Sequence, residues 1–160
     1  MIQVLETDLT LPEHASVLIQ LMDEYALDPM NGSRALSEFA RENLVSELKK
    51  CDAAHVILAF VDGKPAGLVT CLEGFSTFAC RPLLNVHDVI VSAEYRGRGL
   101  CKRMLEVAEP VAHRLGCCKM MLEVLEGMLQ HKRPISPVVS RVTSWIHAWG
   151  RPCFGRRSLR

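Results

Sequence analysis

Near the middle of the chain, Tyr95-Arg96-Gly97-Arg98-Gly99 sets two cations and two glycines between a strand-like run and a helical one. The first turn of a helix leaves several backbone N–H groups without intrahelical acceptors. A glycine turn feeding that end lets an anion approach them closely, so the segment is a natural seat for phosphate. Arg96 and Arg98 add positive charge, and the preceding strand offers edge hydrogen bonds to an extended ligand. Taken alone, the same residues also describe a basic surface turn. Metal chemistry has less support. The six histidines, at 14, 55, 87, 113, 131 and 147, form no HExxH, and the seven cysteines form no CxxC pair, so no metal is expected.

The elements that must position this turn can be read from periodicity. Residues 2–7 suit a first strand, and Pro12 suits the opening turn of a helix with Val17, Leu18, Leu21, Met22 and Tyr25 on one face. A second amphipathic helix is expected from Ser33 to Lys50, carrying Leu36, Phe39, Ala40, Leu44, Val45 and Leu48. The period then changes. Residues 55–61 and 66–72 read as two strands joined through Asp62-Gly63, a tight-hairpin signal. Leu83 to Ser92 reads as a further strand, with Val86, Asp88 and Ile90 alternating against His87, Val89 and Val91. After the glycine turn, Leu100, Met104, Leu105, Val107, Ala108, Val111, Ala112 and Leu115 recur at helical spacing. Gly116 stops that helix, and Lys119 to Leu125 reads as the next strand. A strand–helix–strand unit of this kind makes its two strands parallel.

The stretch VSAEYRGRGLCKRMLEVAEPVAHRLGCCKMMLEVLEG, residues 91–127, resembles the acetyl-CoA-binding segment of the GNAT acetyltransferases, whose signature is R/Q-x-x-G-x-G/A. Arg96, Gly99 and Cys101 stand at the signature positions. The resemblance implies an α/β GNAT acyl-CoA N-acyltransferase fold, a mixed and mostly antiparallel sheet flanked by helices. It implies acetyl-CoA as cosubstrate, with Val89, Ile90 and Val91 pairing through their backbone with the pantetheine arm. Arg96, Gly97, Arg98, Gly99, Leu100 and Cys101 would wrap the pyrophosphate. Cys101 departs from the family's Gly or Ala and places a larger side chain where the backbone nears the phosphates, which is expected to weaken binding modestly. Pro110 removes one bond of the long helix, and a kink is expected there.

Acetyl transfer to an amine needs a neutral nitrogen, hence a base. Asp88 is the candidate: His87-Asp88-Val89-Ile90-Val91 resembles the acidic strand of diamine and related small-amine acetyltransferases, as does Phe75-Ser76-Thr77-Phe78. Ordering a local hydrogen-bond network, or binding a cationic substrate, are the other roles open to Asp88. His87 reads as structural. The family's usual general acid is a tyrosine after the strand that follows the long helix, whereas no tyrosine follows Tyr95. The expected activity is acetylation of a primary amine on a small molecule. The alternatives are a protein N-terminal or lysine acetyltransferase, or a catalytically impaired acyl-CoA-binding or nucleic-acid-binding protein. A homodimer is a common assembly in the family.

At 160 residues, 49% hydrophobic and 23% charged, the chain has the make-up of one globular domain. No apolar run approaches the roughly 18 residues of a membrane span, and the first residues lack a secretory pattern. A cytoplasmic protein with reduced thiols is expected. Residues 128–160 differ from the rest: they hold seven of the 19 basic residues and none of the 18 acidic ones, leaving residues 1–127 with a net charge of −6. Two readings stand for this segment, one a basic tail that binds nucleic acid with Trp145 and Trp149 as stacking groups. In the other it is a frame-shifted translation following a domain at 1–127. Joining the third base of each codon to the first two of the next permits N-x-x-x-Q-x-x-Y-x-x-x-G-F, as in a GNAT C-terminus, with Asp and Gly forced at Trp145-Ile146 and Trp149-Gly150. A frame-shifted end would leave the last strand with an exposed edge.

Overall fold

The computed structural model describes residues 1–28 and 33–122 and the backbone of 144–146. Strands β1 (Ile2–Glu6), β2 (Ala54–Val61), β3 (Lys64–Ser76), β4 (Arg81–Val91), β5 (Met120–Leu122) and β6 (Ser144–Ile146) form one sheet in the order β1-β2-β3-β4-β5-β6. All neighbours are antiparallel except β4 and β5, which run parallel with Leu84, Asn85 and Val86 opposite Met120, Met121 and Leu122. Helix α3 (Leu100–Arg114) makes the crossover between them, so the expected parallel unit is present.

Helices cover both faces. On one, α3 buries Leu100, Met104, Ala108, Val111 and Ala112 against Ile57, Ala59, Val69, Leu84 and Val86. On the other, α1 (Pro12–Leu27) buries Leu18 and Leu21 against Val56, Leu58, Leu68 and Ile90, and α2 (Glu38–Lys50) packs Leu44, Val45 and Leu48 around them. Full burial of each leucine, isoleucine, valine or methionine among them contributes about 1.5–3 kcal/mol. The apolar stripe of α3 is the one its sequence period describes, and the helix continues through Pro110 to Arg114. Pro110 lies on the exposed side, where water can satisfy the carbonyl that its ring leaves unbonded.

Several boundaries depend on capping and turn chemistry. Asp62 and Gly63 both adopt positive φ, 50° and 77°, as a two-residue hairpin turn demands. Helix α2 begins at Glu38 rather than Ser33. The Ser37 hydroxyl accepts from the Ala40 amide at 3.1 Å as its N-cap, and the Leu36 amide donates to Asp23 Oδ1 at 3.0 Å instead of entering a helix. The six described cysteines are free thiols. The expected boundary at 127/128 and the proposed altered reading frame lie outside the described residues, apart from the backbone of β6. That strand corrects the expectation of an exposed β5 edge, since β6 pairs with Met120–Leu122 along it.

Gly67 marks the tightest approach of α3 to the sheet. A Cβ there would lie 2.9 Å from the Ile90 carbonyl oxygen and 3.0 Å from Met104 Cε. Gly67→Ala is expected to lower stability by about 1–3 kcal/mol through overpacking. At about 2–4 °C per kcal/mol for a domain of this size, calorimetry should register a fall of several degrees. An unchanged melting temperature would mean that Met104 moves aside freely.

Candidate active site

Strand β4 carries the site's side chains, and a bulge decides where they point. Thr70 of β3 lies opposite Asp88, yet Cys71 lies opposite Val86, so His87 is an extra residue with no partner of its own. The alternation therefore slips by one. Leu84 and Val86 face α3, as do Val89 and Val91, while Ile90 faces α1. Asp88 shares the α1 face with Ile90, whereas Val86 does not, which corrects the simple even–odd reading. Exposed His87 sits at the bulge, beside the point where the described pairing with β5 ends. Beyond Val86, the β4 edge that includes Val89, Ile90 and Val91 has no strand partner among the described residues.

Asp88 is half-buried. Burial pushes its carboxyl above the usual carboxylate range, opposed by the neighbouring His87 and by a hydrogen bond from the buried Thr70 hydroxyl. On the same face, Asn85 holds its side-chain oxygen buried with no hydrogen-bond partner among the described residues. The face thus offers one carboxylate with a raised affinity for protons and one acceptor lacking a donor. Phe75 and Phe78 do not join this group. They are 62% and 88% exposed and lie toward the Arg81 end of β4, away from the glycine turn.

At its other end, β4 runs through Ser92 and a short 3₁₀ turn (Ala93–Tyr95) into Arg96-Gly97-Arg98-Gly99 and α3. Gly97 and Gly99 take φ of 78° and 74°, and beyond its immediate chain neighbours no atom of the described residues lies within 4 Å of a Cβ built at either. Their constraint is thus the backbone conformation and the space left beside it. Gly99 is the N-cap of α3, whose first turn holds no acidic residue, while Lys102 and Arg103 stand exposed there. Cations at the positive end of a helix dipole are unfavourable by about 0.3–1 kcal/mol each unless an anion joins them. Arg98 stacks over the Tyr95 ring at 5.4 Å to its centroid. The turn therefore fits a pyrophosphate: free amides, room at both glycines and positive charge from Arg98 and Arg103, while Lys102 lies 3.7 Å from Glu106. Cys101 is largely buried, and burial raises its thiol pKa, which argues against a thiolate there.

Arg96 is engaged differently. Its Nη2 donates to Asp28 Oδ2 at 3.0 Å and its Nε to the Val91 carbonyl at 3.1 Å. Ser92 Oγ donates to Glu24 Oε2 at 2.7 Å, and the Ala93 amide reaches Glu24 Oε1 at 3.4 Å. Sequence reasoning missed Glu24, Asp28, Thr70 and Asn85. The first two left a signal: they are carboxylates four residues apart at the C-terminal end of α1, where the dipole disfavours them and no basic residue follows in the last turn. Such residues need partners from elsewhere. Among the described residues no cluster of three His, Cys, Asp or Glu side chains suits a metal, and no helix is long and apolar enough to cross a membrane.

Solved structures share this architecture. A ribosomal-protein-alanine N-acetyltransferase from Brucella melitensis biovar Abortus 2308 superposes with a TM-score of 0.61 at 20% identity, covering 79% of this chain and 82% of that one. A glucosamine-6-phosphate N-acetyltransferase from Arabidopsis thaliana gives 0.61 at 16% identity, covering 79% and 84%. Among curated sequences, an uncharacterized N-acetyltransferase from Archaeoglobus fulgidus is 27% identical over 94 residues, which are 54% of this chain. The match spans 64% of that relative's length. Residues 18–131 match the profile of the acetyltransferase (GNAT) family, so the sheet, the glycine turn and the helix that follows it place this chain in that family.

Proposed function

We propose that the protein transfers an acetyl group from acetyl-CoA to a primary amine of a small molecule, with Asp88 as the base. The observation that carries this reading is a half-buried carboxylate on the strand whose free edge leads into an anion-fitting helix start. Acetyl-CoA supplies a thioester whose carbonyl carbon accepts the amine nitrogen as the carbon–sulfur bond breaks, and the proton that the nitrogen sheds on becoming an amide goes to the departing thiolate to give free CoA. The amides of residues 97–101 hold the pyrophosphate, and the backbone of Val89, Ile90 and Val91 aligns the arm. Asp88 takes the proton that the ammonium must lose, and its raised pKa brings it nearer to the working pH of a base.

Two measurements test the reading. Acetyl-CoA at about 100 times its dissociation constant is expected to stabilise the full chain by about 2.7 kcal/mol in a thermal scan. Incubation with acetyl-CoA and a panel of primary amines is expected to release free CoA thiol only when amine is present. Release with peptides but with no small amine would move the substrate class to proteins. No thermal shift, together with no amine-dependent thiol, would overturn the proposal.

A further inference from the structure

Three carboxylates crowd the last turns of α1, and each has a partner outside the helix. Asp23 receives the Leu36 amide at 3.0 Å and Arg41 Nε at 3.0 Å. Glu24 receives the Ser92 hydroxyl and the Ala93 amide, and Asp28 receives Arg96. Two of the three therefore reach across 68 residues of sequence to the segment between β4 and α3. Ser92 is 6% exposed, so its end of the bond is shielded from water, while Glu24 itself is exposed. Arg96 is held at both ends of its guanidinium group, by Asp28 and by the Val91 carbonyl. With its charge already answered by a carboxylate at 3.0 Å, Arg96 has less to give a phosphate than Arg98 or Arg103, for which no carboxylate partner lies among the described residues.

We propose that Arg96 is a strut rather than a phosphate ligand, and that Asp28 and Glu24 are positioning residues which hold the phosphate-binding turn to α1. Gly97 and Gly99 give the turn its shape but also its freedom, because glycine loses the most backbone entropy on ordering. Fastening Ser92, Ala93 and Arg96 from one rigid helix fixes both the entrance to the turn and its first residue. The amides of residues 97–101 then converge without having to be ordered by the ligand, and preorganisation of this kind raises affinity without adding a contact. This inference rests on the acyl-CoA reading of the site for its ligand but not for its mechanics.

The test is a double-mutant cycle on the full chain. Asp28→Ala and Arg96→Ala are each expected to raise the calorimetric dissociation constant of acetyl-CoA about tenfold. The double variant should be no weaker than either single one, because the two residues act as a unit. The KM for acetyl-CoA should rise in step while the KM for the amine stays put. Glu24→Gln, which keeps an acceptor for Ser92, is expected to weaken binding less than Glu24→Ala. If Arg96→Ala weakens binding while Asp28→Ala leaves it unchanged or tightens it, Arg96 is a phosphate ligand and the strut is wrong. Hydrogen exchange of the bonded amides of Ala93, Tyr95 and Arg96, which donate to Glu24, Ser92 and Ala93, in the ligand-free protein gives an independent readout. They should exchange at least several-fold faster in Asp28→Ala than in the unaltered chain, and equal rates would overturn the proposal. Should the unaltered chain give no heat with acetyl-CoA, the acyl-CoA reading fails, and the exchange rates still decide the strut.

Discussion

Asp88→Asn is expected to lower kcat by about 10²–10⁴-fold, the usual contribution of a general base, and at the same time to raise the melting temperature at neutral pH. The second effect follows from linkage. Burial raises the Asp88 pKa in the folded protein above its unfolded value, so the folded state holds this proton more tightly. The stability contributed by that proton is fully present below the unfolded pKa and is lost as pH rises through the folded one. At neutral pH the ionised carboxylate is a net cost, which asparagine removes. The gain in melting temperature should therefore shrink as pH falls through the folded pKa and vanish below the unfolded one. In kinetics, the acid limb of kcat/KM should lie above the ordinary carboxylate range and disappear in the variant. A raised KM for the amine with kcat intact would instead make Asp88 a binding group for a cationic substrate.

Substitution at Gly99 should act mainly on acetyl-CoA. Gly99→Val places a β-branched residue at φ +74°, where a left-handed conformation costs about 1–2 kcal/mol, so a drop of a few degrees in melting temperature is expected. Beyond the two chain neighbours, no atom of the described residues lies within 4 Å of the added Cβ. The new side chain therefore fills the space that an anion against the helix start would use. Loss of acetyl-CoA affinity by about 100-fold or more, measured by calorimetry well below the melting temperature, is the expected result. An affinity close to that of the unaltered chain would mean that the phosphates sit elsewhere.

The sequence was informative wherever a feature is local. Asp62-Gly63 prescribes its turn because two consecutive positive φ angles favour those residues. The α3 stripe is legible because a helix repeats its buried face every three or four residues, and Leu100, Met104, Ala108, Val111 and Ala112 are the ones buried. The glycine turn between a strand and a helix, with its arginines, is legible for the same reason, and it carried the family resemblance. The start of α2 was misplaced because its N-cap competes with a tertiary bond, from the Leu36 amide to Asp23 on another helix.

What the tertiary structure decided are features that belong to two segments at once. A bulge is a mismatch between neighbouring strands, so the period of β4 alone could not reveal that His87 is the extra residue or that Asp88 and Val86 point to opposite faces. Thr70 meets Asp88 only through that register. Asn85 shares their face with its oxygen unpartnered, a property visible only once its surroundings are packed. Arg96 looked like a phosphate ligand because it opens the glycine turn, yet the carboxylate that engages it lies 68 residues earlier, brought there by the packing of α1. Local chemistry determined where an anion can be received; the docking of α1 determined which side chains fasten the turn, and the register of β4 determined that Asp88 lies on the α1 face beside Thr70.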